Sequence, residues 1–358
     1  MRIGVLTFSN ALNLGAALQA FSLQKTLEQM GHDTDLIDYQ CPAIDAMHKL
    51  LPVLKAGLAV KARIYNLIYN LVFFPRRLNY KRFQRGLKKS KKYSRETISA
   101  SNGVYDVFIT GSDQVFNLKL TGNDSSYYLD FVQSGKKVSY AASLGVYLPE
   151  RKQDYQNYLK SFDHLSVREN SSAQLFQQEM GIAAEVVPDP VFLHTSEEWK
   201  ALLGIREKKR EKYILVYSLV EDKGLYEIAD KIAKEKGYQI YVITKALRPM
   251  GKADKYLRNA GPYEFVELMA GAEYVVTNSF HGTAFSLIFM KQFTTLLPPV
   301  ASDRIKDLLK AVGLEKRAIT ASSEIAPNEI DYDTKVESIM MIKEKGYDYL
   351  RQIWCECS

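Results

Sequence analysis

Residues 274–283 carry the side chain best suited to chemistry in this chain. Val275 and Val276 suit a strand, Asn278 and Ser279 suit a helix N-cap, and 284–290 continue as an apolar helix. His281 stands at that strand-to-helix junction. Open α/β sheets place their ligands there, outside the carboxyl ends of the strands. The adjoining helix start favours anions through its N–H groups and dipole. The alternative is a buried histidine bonded to a backbone carbonyl. A second group follows the strand expected at 107–110: after Gly111, Ser112, Asp113 and Gln114 present a hydroxyl, a carboxylate and an amide together. That density of hydrogen-bonding groups suits a polyol such as a sugar, although Asp113 also fits a plain N-cap. Asn10, Asn13 and Gln19 add amides at the mouth of the first strand, with turn chemistry and capping as their alternative roles. Arg168, at a further strand end, suits bidentate binding of carboxylate or phosphate, or else an ion pair with Glu169 or another acid.

Two α/β halves are expected to position these groups. A strand at 3–8, a helix at 16–30 closed by Gly31 and a strand at 34–39 make a β-α-β unit. Its turn is not G-x-G-x-x-G, so a dinucleotide is not indicated. Residues 44–92 read as a helical insertion. Ile64, Leu67, Ile68, Leu71 and Val72 recur at helical spacing, with Arg63, Asn66 and Asn70 on another side, and Pro75 is expected to end that helix. Strands at 137–141 and 164–167 and helices at 150–162 and beyond 170 complete the first half. The second half opens with a strand at 213–217, followed by a helix at 222–236, a strand at 239–244 and a loop holding Arg248, Lys252 and Lys255. Pro262 opens a helix, the 274–277 strand follows, then a strand at 293–297 and a helix that begins at Ser302-Asp303-Arg304. The domains expected are 1–200, 201–330, and a tail helix within 331–358 that returns to brace the first.

At 358 residues the chain is long for one core, which agrees with two domains. Three cysteines form neither a disulfide framework nor a zinc pattern, so a reducing cytoplasm is expected. The first residues are too short in apolar length for a signal peptide, and no apolar run reaches the roughly 18 residues of a membrane span. No metal is expected, because the five histidines are dispersed and no acidic cluster has ligand spacing. The net charge of +7 is uneven: 41–95 holds fourteen Lys and Arg against one acid, Asp45. Such a segment suits an anionic membrane surface, nucleic acid or another partner, or is simply a solvated face. Nucleic acid is not expected, since the remainder is net acidic and no nucleic-acid-binding motif occurs.

Five pieces in order, at 13–19, 111–114, 166–169, 187–190 and 279–282, resemble the polysaccharide pyruvyl transferase family. The resemblance implies a GT-B-like α/β fold, two Rossmann-like domains facing across a cleft. It implies transfer of the three-carbon unit of phosphoenolpyruvate to glycan hydroxyls, giving a cyclic pyruvate ketal and phosphate with no cofactor. His281 then acts as general acid at the methylene carbon or binds the anion as imidazolium. Arg168, Arg304, Ser279 and Gly282 line the donor site. Asp113 takes a hydroxyl proton, and Asn13, Gln19, Ser112 and Gln114 face the acceptor. One departure stands out: several members carry arginine where this chain has Ser279, so Arg304 or a lysine of the 248–255 loop is expected to substitute, or the donor differs. A glycan repeat unit assembled on a lipid diphosphate would place the protein at the inner membrane face, held through 44–92. The competing readings are a nucleotide-sugar glycosyltransferase with Glu264 on a ribose, and a non-enzymatic glycan-binding protein.

Overall fold

The structure is a computed structural model that describes residues 1–48, 59–206, 211–299, 302–324 and 329–355. The chain begins β1 (Arg2–Leu6), α1 (Leu14–Gln29), β2 (Asp33–Tyr39), α2 (Pro42–His48), α3 (Val60–Gln84) and β3 (Lys89–Tyr93). There follow β4 (Val107–Thr110), α4 (Leu118–Thr121), β5 (Lys136–Ser139), α5 (Lys152–Leu159), β6 (Ser166–Val167), α6 (Asn170–Met180) and β7 (Glu185–Val186). Beyond α7 (Ser196–Leu203) come β8 (Tyr213–Tyr217), α8 (Lys223–Lys236), β9 (Gln239–Ile243), β10 (Lys255–Tyr256) and α9 (Pro262–Gly271). The last are β11 (Tyr274–Thr277), α10 (Phe280–Ile288), β12 (Gln292–Leu296), α11 (Asp303–Ala311), β13 (Ala318–Ile319) and α12 (Val336–Cys355).

These elements form two units. The first takes Met1–His48, Gln84–Leu193 and the described part of Met340–Ser358. The second takes the described parts of Lys49–Phe83 and His194–Ile339. The first unit is built on a parallel sheet in the order β3-β2-β1-β4-β5. β1 and β4 are almost wholly buried apolar runs, as parallel strands covered on both faces must be. The order reverses between β1 and β4, and the loops that follow these two strands hold Asn10, Asn13 and 111–114. The second unit has six parallel strands in the order β10-β9-β8-β11-β12-β13, with Ile214, Val216, Leu225, Ile228 and Val276 in its core. Here β11 is central and delivers α10 directly from its carboxyl end.

The insertion differs from its sequence reading in three ways. First, α3 runs through Pro75 to Gln84. Pro75 lies on the exposed side, so the Leu71 carbonyl that loses its helical donor faces water, where the loss costs least. Second, α3 packs in the second unit: Phe83 meets Tyr263 edge-on at 5.3 Å, Arg82 pairs with Glu264 at 2.5 Å and Asn79 donates to Asn259 O at 2.8 Å. Third, residues 89–93 are an edge strand rather than helix, with Tyr93 turned inward and lysines along an edge that charge keeps from pairing further. At the other end of the chain, α12 contributes Tyr349, whose hydroxyl donates to Ser139 O at 2.8 Å at the end of β5. Gly346 lets it approach, since a Cβ there would stand 2.6 Å from the Tyr140 hydroxyl.

Candidate active site

The first unit gathers an acidic, hydrogen-bonded rim. Thr7, just past β1, donates to Ser112 O at 2.8 Å, tying the two strand ends together. Asp113 sits in the left-handed region at φ 80°, a conformation that costs a non-glycine residue energy. Its carbonyl accepts from Ser143 N at 2.9 Å, and its Oδ1 accepts from Gln114 N at 2.8 Å. Gln114 Oε1 in turn accepts from Asn117 at 2.9 Å. Arg168, whose side chain is 2% exposed, donates to Asp189 Oδ2 at 2.7 Å and to Glu169 Oε1 at 3.2 Å. Burial alone would depress its guanidinium. The carboxylates of Glu169, Asp189 and Asp113 outweigh that and hold it above its ordinary value.

Three acids about one buried cation leave this rim net negative. Of the two roles open to Arg168 in sequence, the ion pair is the one seen: its fork is engaged by Asp189 and Glu169 inside the fold. Two acceptor assignments change as well. Gln19 is buried and donates to Thr7 Oγ1 at 2.9 Å and Ala16 O at 3.0 Å. Ser112 is buried and donates to Asp189 at 3.1 Å. Both act behind the surface. Asn13 caps α1 by accepting from Ala16 N at 3.2 Å, yet stays partly exposed, as do Asp113 and Gln114.

The second unit brings His281 and one guanidinium, Arg304, to the start of α10. Ser279 is the N-cap, and Thr283 N, bonding Ser279 O at 3.0 Å, is the first amide to bond within the helix. The amides of 280–282 thus belong to the first turn, whose N–H groups point outward along the axis. Asn278, read as a cap, instead ties down the loop after β8 through Leu219 N at 2.9 Å and Val220 O at 2.7 Å. His281 is partly exposed. The Arg304 guanidinium lies over the ring of the preceding residue, Phe280, 5.7 Å from its centroid. Gly282 is required, because a Cβ would overlap Thr277 Oγ1 and stand 2.8 Å from Thr277 Cβ.

A family model described as polysaccharide pyruvyl transferase matches residues 13–298. The chain belongs to that family. A search of curated proteins gives no match. Among solved structures, the UDP-GlcNAc 2-epimerase of Methanocaldococcus jannaschii is similar at TM-score 0.51 and 11% identity, covering 99% of each chain. The UDP-GlcNAc 2-epimerase of Neisseria meningitidis aligns at TM-score 0.47 and 12% identity over 98% of this chain and 93% of its own. The E. coli heptosyltransferase WaaC aligns at 0.41 and 14% over 84% and 90%. The fold of this pyruvyl transferase family member is thus of the GT-B type, two Rossmann-like units in one chain; identities this low carry nothing about substrates.

Two basic residues were not among the site residues expected of this family member. Arg76, on α3, is 6% exposed, makes no ion pair among the described residues, and its Nη1 has no hydrogen-bond partner there. It lies over the Tyr80 ring, 5.7 Å from the centroid. Its charge also reaches the buried Tyr217 hydroxyl, which burial pushes up and which contacts the Ser279 side chain. Lys245, just beyond β9, is exposed by area, yet its ammonium is pushed down to about 8, by burial first and the Arg76 charge second. Of the loop proposed to replace the missing arginine, Lys255 is engaged elsewhere, donating to Tyr241 at 2.6 Å. Glu264, the expected ribose ligand, is taken by Arg82 and by Gly261 N at 2.9 Å.

Proposed function

We propose that the protein moves the enolpyruvyl unit of phosphoenolpyruvate onto two hydroxyls of a cell-surface glycan or its lipid-linked repeat unit, forming a pyruvate ketal. The observation that carries this reading is the opposite charge of the two groups. The start of α10 combines outward amides, His281 and Arg304, with Arg76 buried behind Tyr217. The other rim is acidic and suits a neutral polyol. A highly charged anion belongs with the cations.

In this reaction His281 gives a proton to the methylene carbon, leaving cation character at the adjacent carbon. A sugar hydroxyl attacks there and gives up its proton to a general base. The carbon–oxygen bond to phosphate then breaks, phosphate leaves with the bonding pair, and a second hydroxyl closes the ketal with loss of its proton. Arg304 and the amides of 280–282 meet the phosphate and carboxylate charge. Arg76, whose Nη1 is closed to solvent, contributes its field rather than a direct bond. Arg168 holds Glu169 and Asp189 within the first unit.

The test is phosphate release from phosphoenolpyruvate with a panel of lipid-linked oligosaccharides. Release that depends on an oligosaccharide, with a mass gain of one pyruvyl ketal on it, is the expected result. Transfer from a nucleotide-sugar with no use of phosphoenolpyruvate overturns the reading.

A further inference from the structure

The outward face of α3 is apolar where a helix packed on one side only should be polar. Nine of the nineteen exposed large apolar side chains among the described residues fall between Val60 and Leu78. Ile64, Leu67, Ile68, Leu71, Phe74 and Leu78 recur at three- and four-residue spacing, so they form one stripe. They are 47% to 66% exposed. Phe73, Arg76, Tyr80 and Phe83, the buried residues of the same helix, lie on nearly the opposite side. The apolar stripe that the sequence spacing picks out is therefore the outer face of this helix. A contiguous exposed patch of this kind on a folded protein marks an interaction surface.

The charges decide what covers it. Val60–Gln84 contains six Lys and Arg and no acid. Lys61, Arg63 and Lys81 are exposed around the stripe. Protein interfaces are depleted in lysine at their centres and need an acidic counterpart. A lipid surface supplies both an apolar interior and a layer of phosphate. Exposed aromatic side chains, Tyr65 at 51% and Phe74 at 53%, suit the boundary between the two. No helix of the described residues is long and apolar enough to cross a membrane. A helix with a one-sided apolar stripe and six basic residues lies in the plane of the interface rather than across it.

We propose that α3 docks the protein on an anionic lipid bilayer, with its outward apolar stripe inserted among the headgroups and the flanking lysines and arginines against lipid phosphates. Insertion, rather than charge attraction alone, carries the binding. The test is sedimentation of the full chain with vesicles of phosphatidylcholine mixed with phosphatidylglycerol. Wild type is expected to bind, and added salt to weaken binding without abolishing it. The double variant Ile64→Glu/Leu71→Glu, at two exposed positions that leave the fold intact, is expected to lose at least about a hundredfold in affinity, since two apolar side chains no longer insert. In Leu67→Trp, emission is expected to shift to the blue on the same vesicles. Wild-type affinity in the double variant, complete release by moderate salt, or an unshifted emission overturns the inference. So does a wild type that ignores vesicles but self-associates through residues the double variant disrupts, because the face then belongs to a second copy. Vesicle binding is independent of phosphate release, so either reading fails without the other.

Discussion

His281 and its cations depend on how closely α10 approaches β11. In Gly282→Ala the new methyl group overlaps Thr277, and the helix start must shift. We expect a loss of about 1–3 kcal/mol in denaturant unfolding together with loss of activity. Asp189→Asn leaves the Arg168 guanidinium buried with one carboxylate fewer and should cost about 3 kcal/mol. Lys245 gives a pH dependence. With its value at about 8, the ammonium is charged below pH 8 and neutral above it. Under the proposed reaction the charge it adds beside Arg76 fades as pH rises, so KM for phosphoenolpyruvate is expected to climb above about pH 8, and Lys245→Met to flatten that climb. Without ligand the sign for stability is opposite: the depressed value penalises the fold at lower pH, and the penalty fades as pH rises toward the ordinary lysine range. At this scale His281 is legible in sequence because strand, cap and apolar helix are contiguous. The Arg168–Glu169 pair is legible for the same reason. Asp189, twenty-one residues on, and Arg76, on the packed face of a distant helix, are not, since nothing local announces either partner.

Among the elements, α3 shows how far periodicity reaches. Its spacing identifies the helix but not which of two apolar stripes faces inward; Tyr80 and Phe83 decide that by packing, and they lie beyond the proline. Because the helix continues through an exposed Pro75, replacing that residue restores one backbone hydrogen bond and removes a ring clash. Pro75→Ala is expected to raise stability by about 1–2 kcal/mol, less than the full penalty of a proline because the unfolded chain also gains freedom. A lower unfolding midpoint would mean that the bend itself is needed. β3 escaped notice because its lysines match a basic helix as well as an edge strand, and only its pairing with β2 separates the two. β1, β4, β8 and β11 were readable because buried parallel strands are short, apolar and bounded by turn residues.

For the whole molecule, the paired Rossmann-like pattern is visible in sequence, whereas the assignment of segments to units is a matter of long-range packing. Val336–Cys355 is one helix, yet its residues from Met340 onward belong with the first unit, where Tyr349 meets Ser139 and Tyr140. Deleting 340–358 should expose the end of β5 and lower the thermal midpoint, and a truncated protein melting like the full chain would assign the tail no such part. The chain passes from one unit to the other four times. In synthesis, then, the sheet of the first unit waits through α3 for β4 and β5, and α12 reaches it only after β8 to β13 of the second unit have been made. A single protease cut in 194–339 would free neither half, because the first unit draws segments from both sides of that stretch.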